Sequence, residues 1–164
     1  DLPKMPAPGK APTFLVAAMK DAQGGNLDRI QIVKGWIDKD GQSQEQIYNV
    51  AWSDEQRRKP GKDGKLPAVG DTVDVSRATW TNTIGDPELV GVWKDPSFVP
   101  SQRAVYYVRV IEIPTPRWTA YDAVRFNIKM PLEVRCDSTV WKSATASTMP
   151  TRRADAASIT RPLP

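Results

Sequence analysis

The sequence predicts an all-β fold, an antiparallel β-sandwich of loosely immunoglobulin-like type with a disordered or loosely packed C-terminal tail. Six or seven short segments rich in β-branched and aromatic residues follow one another, and turn residues separate them. No segment has the strong apolar period of an amphipathic helix. After residue 134 the large apolar side chains give way to Ser, Thr and Ala. The first two observations indicate the sandwich, and the third indicates the tail.

Composition divides the chain into three parts. Residues 1–12 contain four Pro and two Lys, which is typical of an extended linker. Residues 13–134 form the predicted β-sandwich domain. Residues 135–164 are a low-complexity basic tail with nine Ser or Thr, and such a segment buries too little apolar surface to order itself. Because the chain starts at Asp1 without an apolar signal segment, we expect it to be the interior of a longer product.

The first three predicted strands come from apolar runs and alternation. Residues 13–20 are short and apolar and lie between a Pro and a Gly pair. Residues 27–37 alternate, with Ile30, Ile32 and Trp36 on one face. An Asp-Gly turn then leads to residues 46–52, which alternate again. These two segments predict an antiparallel pair.

A polar segment separates the two halves of the domain. Residues 53–71 are rich in charge, Pro and Gly, and they predict a long exposed loop that is the most protease-sensitive part of the chain. The basic triplet 57–59 lies among acidic residues and has no interleaved aromatic, which indicates a solvated loop and not a phosphate contact. Residues 72–80 and 88–93 are then predicted as two further strands.

The last predicted strand is the clearest. Residues 104–113 run directly into Pro114-Thr115-Pro116, where the ladder cannot continue because Pro lacks the N–H donor. Arg109 and Glu112 lie three apart within this strand and so on opposite faces. The simplest interpretation gives them solvent-side or edge positions, and the alternative is a buried Arg109 paired with an acid.

The segment after the prolines carries the candidate site. Arg117 and Trp118 follow the prolines and lie on a conformationally restricted corner at the end of the strand. Residues 119–126 could then form a short helical turn with Thr119 as its N-cap. Arg offers a planar fork and Trp a stacking face. We therefore predict that Arg117, Trp118, Tyr121 and Asp122 contact a ligand or an interface. The alternative is that Arg117 stacks on Trp118 and only caps the end of the sandwich.

Missing residue types narrow the chemistry. The chain has no His and a single Cys, so Ser-His and Cys-His catalysis are excluded. We also expect no Zn, Cu or non-haem Fe site built from this chain alone, because such a site needs imidazole or several thiolates. Glycine-rich phosphate-binding loops are absent as well. We therefore expect no metal, no catalytic residue, no cofactor and no enzymatic activity of this chain by itself.

The distribution of charge and hydropathy indicates whether nucleic acid or a membrane could be a partner. The net charge is +4, but residues 135–164 alone carry five Arg or Lys and two Asp. The basic excess is therefore mostly a property of the tail, and we expect no nucleic-acid partner. No run of 18 apolar residues exists, so we expect no membrane span. The oligomeric state is not predicted.

Several segments resemble one bacterial family, which is catalogued as domain of unknown function 3604. The segments are LDRIQIVKGWID, YNVAWS, KLPAVGDTVDV, TNTIGDPELVGVW and above all YYVRVIEIPTPRWTAYDA. The likeness covers roughly residues 1–134 and is to the C-terminal portion of that family. Its members resemble metal-dependent hydrolases of the polymerase-and-histidinol-phosphatase type. Their metal site lies upstream of anything present here, and many members are exported, which implies a periplasmic or secreted location.

The resemblance implies a non-catalytic C-terminal β module whose partner is an upstream catalytic domain of the same protein. The sequence departs from the family after Val134, and a frameshift or altered end is our hypothesis for that break, which would leave the last strand with an open edge.

A free-standing binding module for carbohydrate or another small ligand is the alternative, since six Trp and four Tyr could supply stacking surfaces. Burial of Trp36, Trp52, Trp80 and Trp93 would count against it.

Overall fold

The computed structural model describes residues 9–129, and the predictions for residues 1–8 and 130–164, including the basic tail, lie outside this range. The described part of the chain is mostly β, with five strands and one short helix. The strands are β1 (Thr13–Met19), β2 (Leu27–Ile37), β3 (Ser43–Trp52), β4 (Glu88–Lys94) and β5 (Ala104–Glu112), and the helix is α1 (Trp118–Phe126). Within residues 9–129, this nine-residue helix is too short to cross a membrane.

The strands form two antiparallel sheets, so the predicted β-sandwich class is confirmed. β1 pairs with β4, and the second sheet has the order β3-β2-β5. The β2–β3 pair joined by the Asp38–Gly41 turn is confirmed, with Ile32 opposite Tyr48. On its other side β2 pairs with β5, where Ile32 lies opposite Val108. The central strand therefore fixes the position of every residue on the larger sheet.

The two sheets pack through small and aliphatic side chains. The core consists of Leu27, Ile30 and Leu89, and Val16, Ala18 and Ala51 pack against it. Gly91 of β4 lies so close to β3 that a Cβ there would be 2.9 Å from a methyl of Val50. A side chain at this position would push the sheets apart, because sandwich cores have little free space.

Both faces of β2 are buried, although its sequence alternates. Residues from Leu27 to Lys34 are all buried, including Arg29, Gln31 and Lys34. The inner face packs on the β1/β4 sheet, and polar networks and the 53–71 loop cover much of the outer face. Polar side chains at these positions therefore need internal partners.

The segment 72–80 is not a strand, so this prediction was wrong. It makes a single bridge between Asp74 and Thr79, and Ala78 has a positive φ of 52°. The Asp74 carboxylate accepts hydrogen bonds from the backbone N–H groups of Ser76 and Arg77 at 3.0 and 3.2 Å. Such local side-chain bonds compete with a ladder and close a tight turn.

Two element boundaries also differ from the prediction. β3 starts at Ser43, three residues before the predicted start at Gln46. α1 begins at Trp118, and its N-cap is Arg117 and not Thr119. Arg117 has extended backbone geometry, and its side chain makes no capping hydrogen bond. Because the N-cap is Arg117, the helix begins two residues earlier than it would with Thr119 as its cap.

Candidate functional site

The proline corner is anchored at its base. Ile113, Pro114 and Pro116 are buried. The Ile113 N–H donates to the Asn26 carbonyl at 2.7 Å, which ties the end of β5 to the start of β2. The corner is therefore rigid and presents α1 at one end of the sandwich.

The four predicted site residues lie on this short helix and its cap. Trp118 is 68% exposed and Tyr121 is 43% exposed, whereas Arg117 and Asp122 are partly buried. In the described part of the chain, no side-chain hydrogen bond, ion pair or ring contact joins any two of them. The expected stacking of Arg117 on Trp118 is likewise not among the cation–π contacts there, while Arg125 lies 5.5 Å from the Phe126 ring. The four residues share a region but do not form a connected constellation.

A second polar cluster, which sequence reasoning missed, lies between the sheets. Lys34 Nζ donates to Asp95 Oδ2 at 2.7 Å and to the Ser97 carbonyl at 2.8 Å. The Tyr106 hydroxyl donates to the same Asp95 oxygen at 2.6 Å, and the Tyr48 hydroxyl lies 2.8 Å from Ser97 Oγ. Lys34 is only 2% exposed. We name these five residues the Lys34 cluster.

The Lys34 cluster shifts the pKa values of Asp95 and Tyr106. Burial alone would raise the pKa of Asp95, but hydrogen bonds from Lys34, Tyr106 and Ser97 together outweigh it and hold this pKa below its ordinary value. Burial, followed by the hydrogen bond to the Asp95 carboxylate, raises the pKa of Tyr106 well above its ordinary value. Asp95 is thus a poor base and Tyr106 a poor acid near neutral pH. This cluster holds strands together and is not suited to proton transfer.

A third cluster joins the long loop to β2. Asp28 is 1% exposed, and its carboxylate accepts from both Arg29 and Arg58. Arg29 also donates to the Leu66 carbonyl at 2.6 Å, and Arg58 to the Pro67 carbonyl at 2.6 Å. The 53–71 loop is therefore fastened at both its ends. The basic triplet 57–59 is split, because Arg58 is buried in this cluster while its two neighbours are exposed.

A groove of about 680 Å³ lies on the outer face of the three-stranded sheet. A chain of hydrogen bonds crosses its floor. Arg109 Nε and Nη2 donate to Gln31 Oε1 at 3.0 and 2.5 Å, and Gln31 Nε2 donates to Asn49 Oδ1 at 2.7 Å. Asn49 Nδ2 in turn donates to the Gly64 carbonyl at 3.1 Å. Arg109 lies half-buried on the outer face of the edge strand β5, which agrees with the simplest interpretation from the sequence, and its partner is a neutral amide and not an acid.

The β1/β4 sheet turns an apolar surface to solvent. We call it the outer stripe. It consists of Leu15, Ala17 and Met19 on β1 and Val90 and Val92 on β4. Leu15 lies opposite Val92 and Ala17 opposite Val90, so the side chains are contiguous. Leu15, Met19 and Val92 are 72%, 77% and 68% exposed.

The tryptophans do not form a flat stacking platform. Trp36, Trp52, Trp80 and Trp93 are all partly buried. Trp93 packs against Tyr48, with ring centroids 4.8 Å apart, and Trp52 Nε1 donates to the Arg58 carbonyl at 3.0 Å. Most of the aromatic surface thus belongs to packing within the domain. Among residues 9–129, no three His, Cys, Asp or Glu side chains come together in an arrangement that could hold a metal ion.

A family model described as "Protein of unknown function (DUF3604)" matches residues 1–149. The chain belongs to the DUF3604 family. Neither a curated protein nor a solved structure matches it.

The DUF3604 match covers every strand and the helix of the described structure, together with all the clusters above. It also continues beyond Val134, where the sequence interpretation placed the end of the likeness. The composition break after that residue therefore does not coincide with the end of the family match.

Proposed function

We propose that this DUF3604 chain is a non-catalytic β module that packs against a catalytic domain upstream of it in a longer protein, a metal-dependent hydrolase as the family likeness implies. The outer stripe is the observation that carries the proposal. Contiguous exposed apolar surface is costly in water, and when polar groups surround it, it marks a contact surface.

The rim of the outer stripe is polar. Thr13 and Lys94 lie opposite each other at one end, and Glu88 lies opposite Met19 at the other. An apolar centre with a charged rim is the usual anatomy of a protein interface. The inner face of the β1/β4 sheet packs on the core of this domain. The outer stripe is the opposite face, which is free to contact another domain.

The position of β1 favours a neighbour that precedes it in the chain. β1 is the first strand, and the Pro12 carbonyl just before it accepts from the Asp95 N–H at 3.1 Å. A domain that precedes this chain would be joined to the stripe through the twelve residues before β1. A short linker gives the upstream domain a high effective concentration near the outer stripe. Even a weak apolar contact between the two would therefore stay formed.

The buried charges are used structurally, which supports a role without catalysis. Lys34 is paired with Asp95, and Asp28 is paired with two arginines. A catalytic acid or base must reach a substrate, whereas these side chains are almost fully buried and bonded to the chain itself.

The outer stripe is tested by the double variant Leu15→Lys/Val92→Glu, whose opposite charges face each other across the strand pair. In the isolated chain we expect a change in unfolding free energy within about 0.5 kcal/mol, since both side chains are largely exposed. In the longer protein we expect a loss of about 2 kcal/mol or more, because burial of two aliphatic side chains is lost. Thermal unfolding of both forms measures this.

The matched control is Val105→Lys, at a β5 residue that is also 68% exposed but lies on the other sheet. It should change both forms equally little. Identical unfolding of the longer protein with and without the double substitution would refute the proposal. Self-association of the isolated chain that the double variant abolishes would assign the stripe to a second copy instead.

We also propose that the corner residues Arg117, Trp118, Tyr121 and Asp122 lie at the border with the catalytic domain. Trp118 and Tyr121 are exposed on a helix that a buried proline corner holds rigidly. Arg117→Ala in the longer protein should lower hydrolase activity while the unfolding free energy of the isolated chain stays within about 0.5 kcal/mol of the parent. Equal loss of activity and stability would make the corner a structural cap.

A further inference from the structure

We propose that the groove on the outer face of the β3-β2-β5 sheet binds the carboxylate of a small organic acid through Arg109. The inference is independent of the outer stripe, which lies on the other sheet. It rests on the hydrogen-bond chain in the groove floor and on the charges that line the groove.

Two of the five N–H donors of Arg109 are committed within the domain. Nε and Nη2 both donate to Gln31 Oε1, which uses one edge of the guanidinium. Nη1 makes no hydrogen bond to any part of the chain that the structure describes, and it is not among the buried unsatisfied atoms there. The second edge, formed by Nη1 and Nη2, therefore faces solvent. A planar pair of donors of this kind matches a carboxylate.

Hydrogen bonds within the domain already fix the orientation of the Arg109 guanidinium in the absence of a ligand. A carbonyl accepts hydrogen bonds, so the Asn49 side chain must present its Nδ2 group to the Gly64 carbonyl. The Asn49 oxygen is then turned towards Gln31. Gln31 must then present its nitrogen to Asn49 and its oxygen to Arg109. Gln31 is 7% exposed and cannot readily change rotamer. Such preorganisation lowers the entropic cost of binding.

Arg109 lacks a counter-ion among residues 9–129. Of the other charges lining the groove, Asp28 is paired with Arg29, and Asp63 with Lys65. Glu45 lies on β3 four residues from Asn49, which is about 13 Å along a strand and too far for an ion pair with Arg109. A half-buried guanidinium whose partners are neutral favours an anion from outside.

The walls beside the fork are apolar. Ile47 and Ile111 share the outer face with Arg109, and Leu66 closes the loop side. The volume of about 680 Å³ is within the range of pockets for small ligands. An acid with an aliphatic or sugar-like body would place its carboxylate on the fork and its C–H surface on these walls.

The test titrates the whole chain with glucuronate, with glucose and with inorganic phosphate, and records amide chemical shifts. Glucuronate and glucose share a ring and differ at one carbon, where a carboxylate replaces a hydroxymethyl group. We expect saturable shifts with glucuronate at the Gly64 amide, the Asn49 side-chain amide and the Arg109 Nε–H, and none with glucose. Phosphate should bind more weakly, because it has no C–H surface to place on the apolar walls of the groove.

Two variants assign the effect to the fork. Arg109→Gln should weaken glucuronate binding at least about tenfold, since it removes charge-assisted hydrogen bonds. Gln31→Glu should do the same while Arg109 is kept, because the new carboxylate would neutralise the guanidinium. Arg103→Gln, at an exposed residue that does not line the groove, is the matched control and should bind as the parent does.

Several results would overturn the inference. They are an absence of saturable shifts with glucuronate, equal binding of glucose, tighter binding of phosphate than of glucuronate, and undiminished binding in the folded Gln31→Glu variant. The last result decides the matter even if Arg109→Gln does not fold, since Gln31→Glu is nearly isosteric and keeps an acceptor for Arg109.

Discussion

Lys34 and Asp95 form an ion pair that joins the centre of β2 to the residue following β4, with Nζ 2.7 Å from Oδ2 and side chains 2% and 0% exposed. β2 belongs to one sheet and β4 to the other, so this pair is a polar bridge across the sandwich. Lys34 also lies 5.4 Å from the Trp36 ring centroid. The ammonium is thus surrounded by an acid, carbonyl and hydroxyl oxygens and aromatic faces.

Removing the ammonium should be costly. Lys34→Met leaves Asp95 buried with a charge that only neutral donors oppose, and we expect a loss of about 3–5 kcal/mol in unfolding free energy. Urea unfolding measures it. Lys65→Met is the matched control, since the Lys65–Asp63 pair is 87% and 58% exposed and should contribute less than about 1 kcal/mol. Equal losses in the two variants would show that the buried bridge does not stabilise the fold.

The same pair predicts a dependence on acid. The pKa of Asp95 is lowered in the folded chain, so its stabilisation is present above the pKa of the unfolded chain, near 4, and is lost as pH falls below it. The difference in unfolding free energy between the parent and Asp95→Asn should therefore shrink between pH 5 and strongly acidic pH. Urea unfolding across this range measures it. A difference that stays constant with pH would contradict the assignment.

The sequence predicted all five strands and the β2–β3 pair, but not the pairing of β2 with β5 or of β1 with β4. β2 was predicted because apolar residues alternate up to an Asp-Gly turn, and β5 because a run rich in β-branched and aromatic residues ends at a proline. Segment 72–80 has two valines in alternation, yet Asp74 captures the local N–H groups and a turn forms. Alternating apolar residues indicate which face a segment could bury if it were a strand. They do not indicate whether a side chain such as Asp74 will bond the local backbone and form a turn.

The polar clusters were beyond sequence reasoning because their members are distant in the chain. Lys34 and Asp95 are 61 residues apart, and Arg109 and Gln31 are 78 apart. The pairing of β2 with β5 brings Arg109 to Gln31, and the packing of the two sheets brings Asp95 to Lys34. A signal existed all the same, since Lys34 follows Val33 in the middle of an apolar strand, where an unpaired charge would be very unfavourable.

The Asp28 cluster predicts a change in the long loop. Asp28→Asn leaves Arg29 and Arg58 buried without their shared anion, and we expect a loss of about 3–5 kcal/mol in unfolding free energy. Because both arginines also bond carbonyls of the loop, cleavage by trypsin within residues 53–71 should become faster. Mass spectrometry of a digestion time course measures this. Asp63→Asn, at an exposed acid of the same loop, is the control and should leave the cleavage rate unchanged.

Gly85 holds the segment before β4 against the end of β5. Its φ is +74°, and a Cβ there would lie 2.8 Å from a methyl of Ile113 and 2.9 Å from the Leu27 carbonyl. Asn26 Nδ2 donates to the Gly85 carbonyl at 3.3 Å, so the backbone cannot easily move away. Gly85→Ala should cost about 2–5 kcal/mol, from left-handed backbone strain together with overpacking.

Gly41 separates these two contributions. Its φ is +77°, but a Cβ there meets nothing within 4 Å, so Gly41→Ala should cost only the strain of about 1–2 kcal/mol. Urea unfolding of both variants measures the difference. If Gly41→Ala costs as much as Gly85→Ala, the close approach of Ile113 is without consequence, and the corner before Arg117 is less tightly held than its buried prolines indicate.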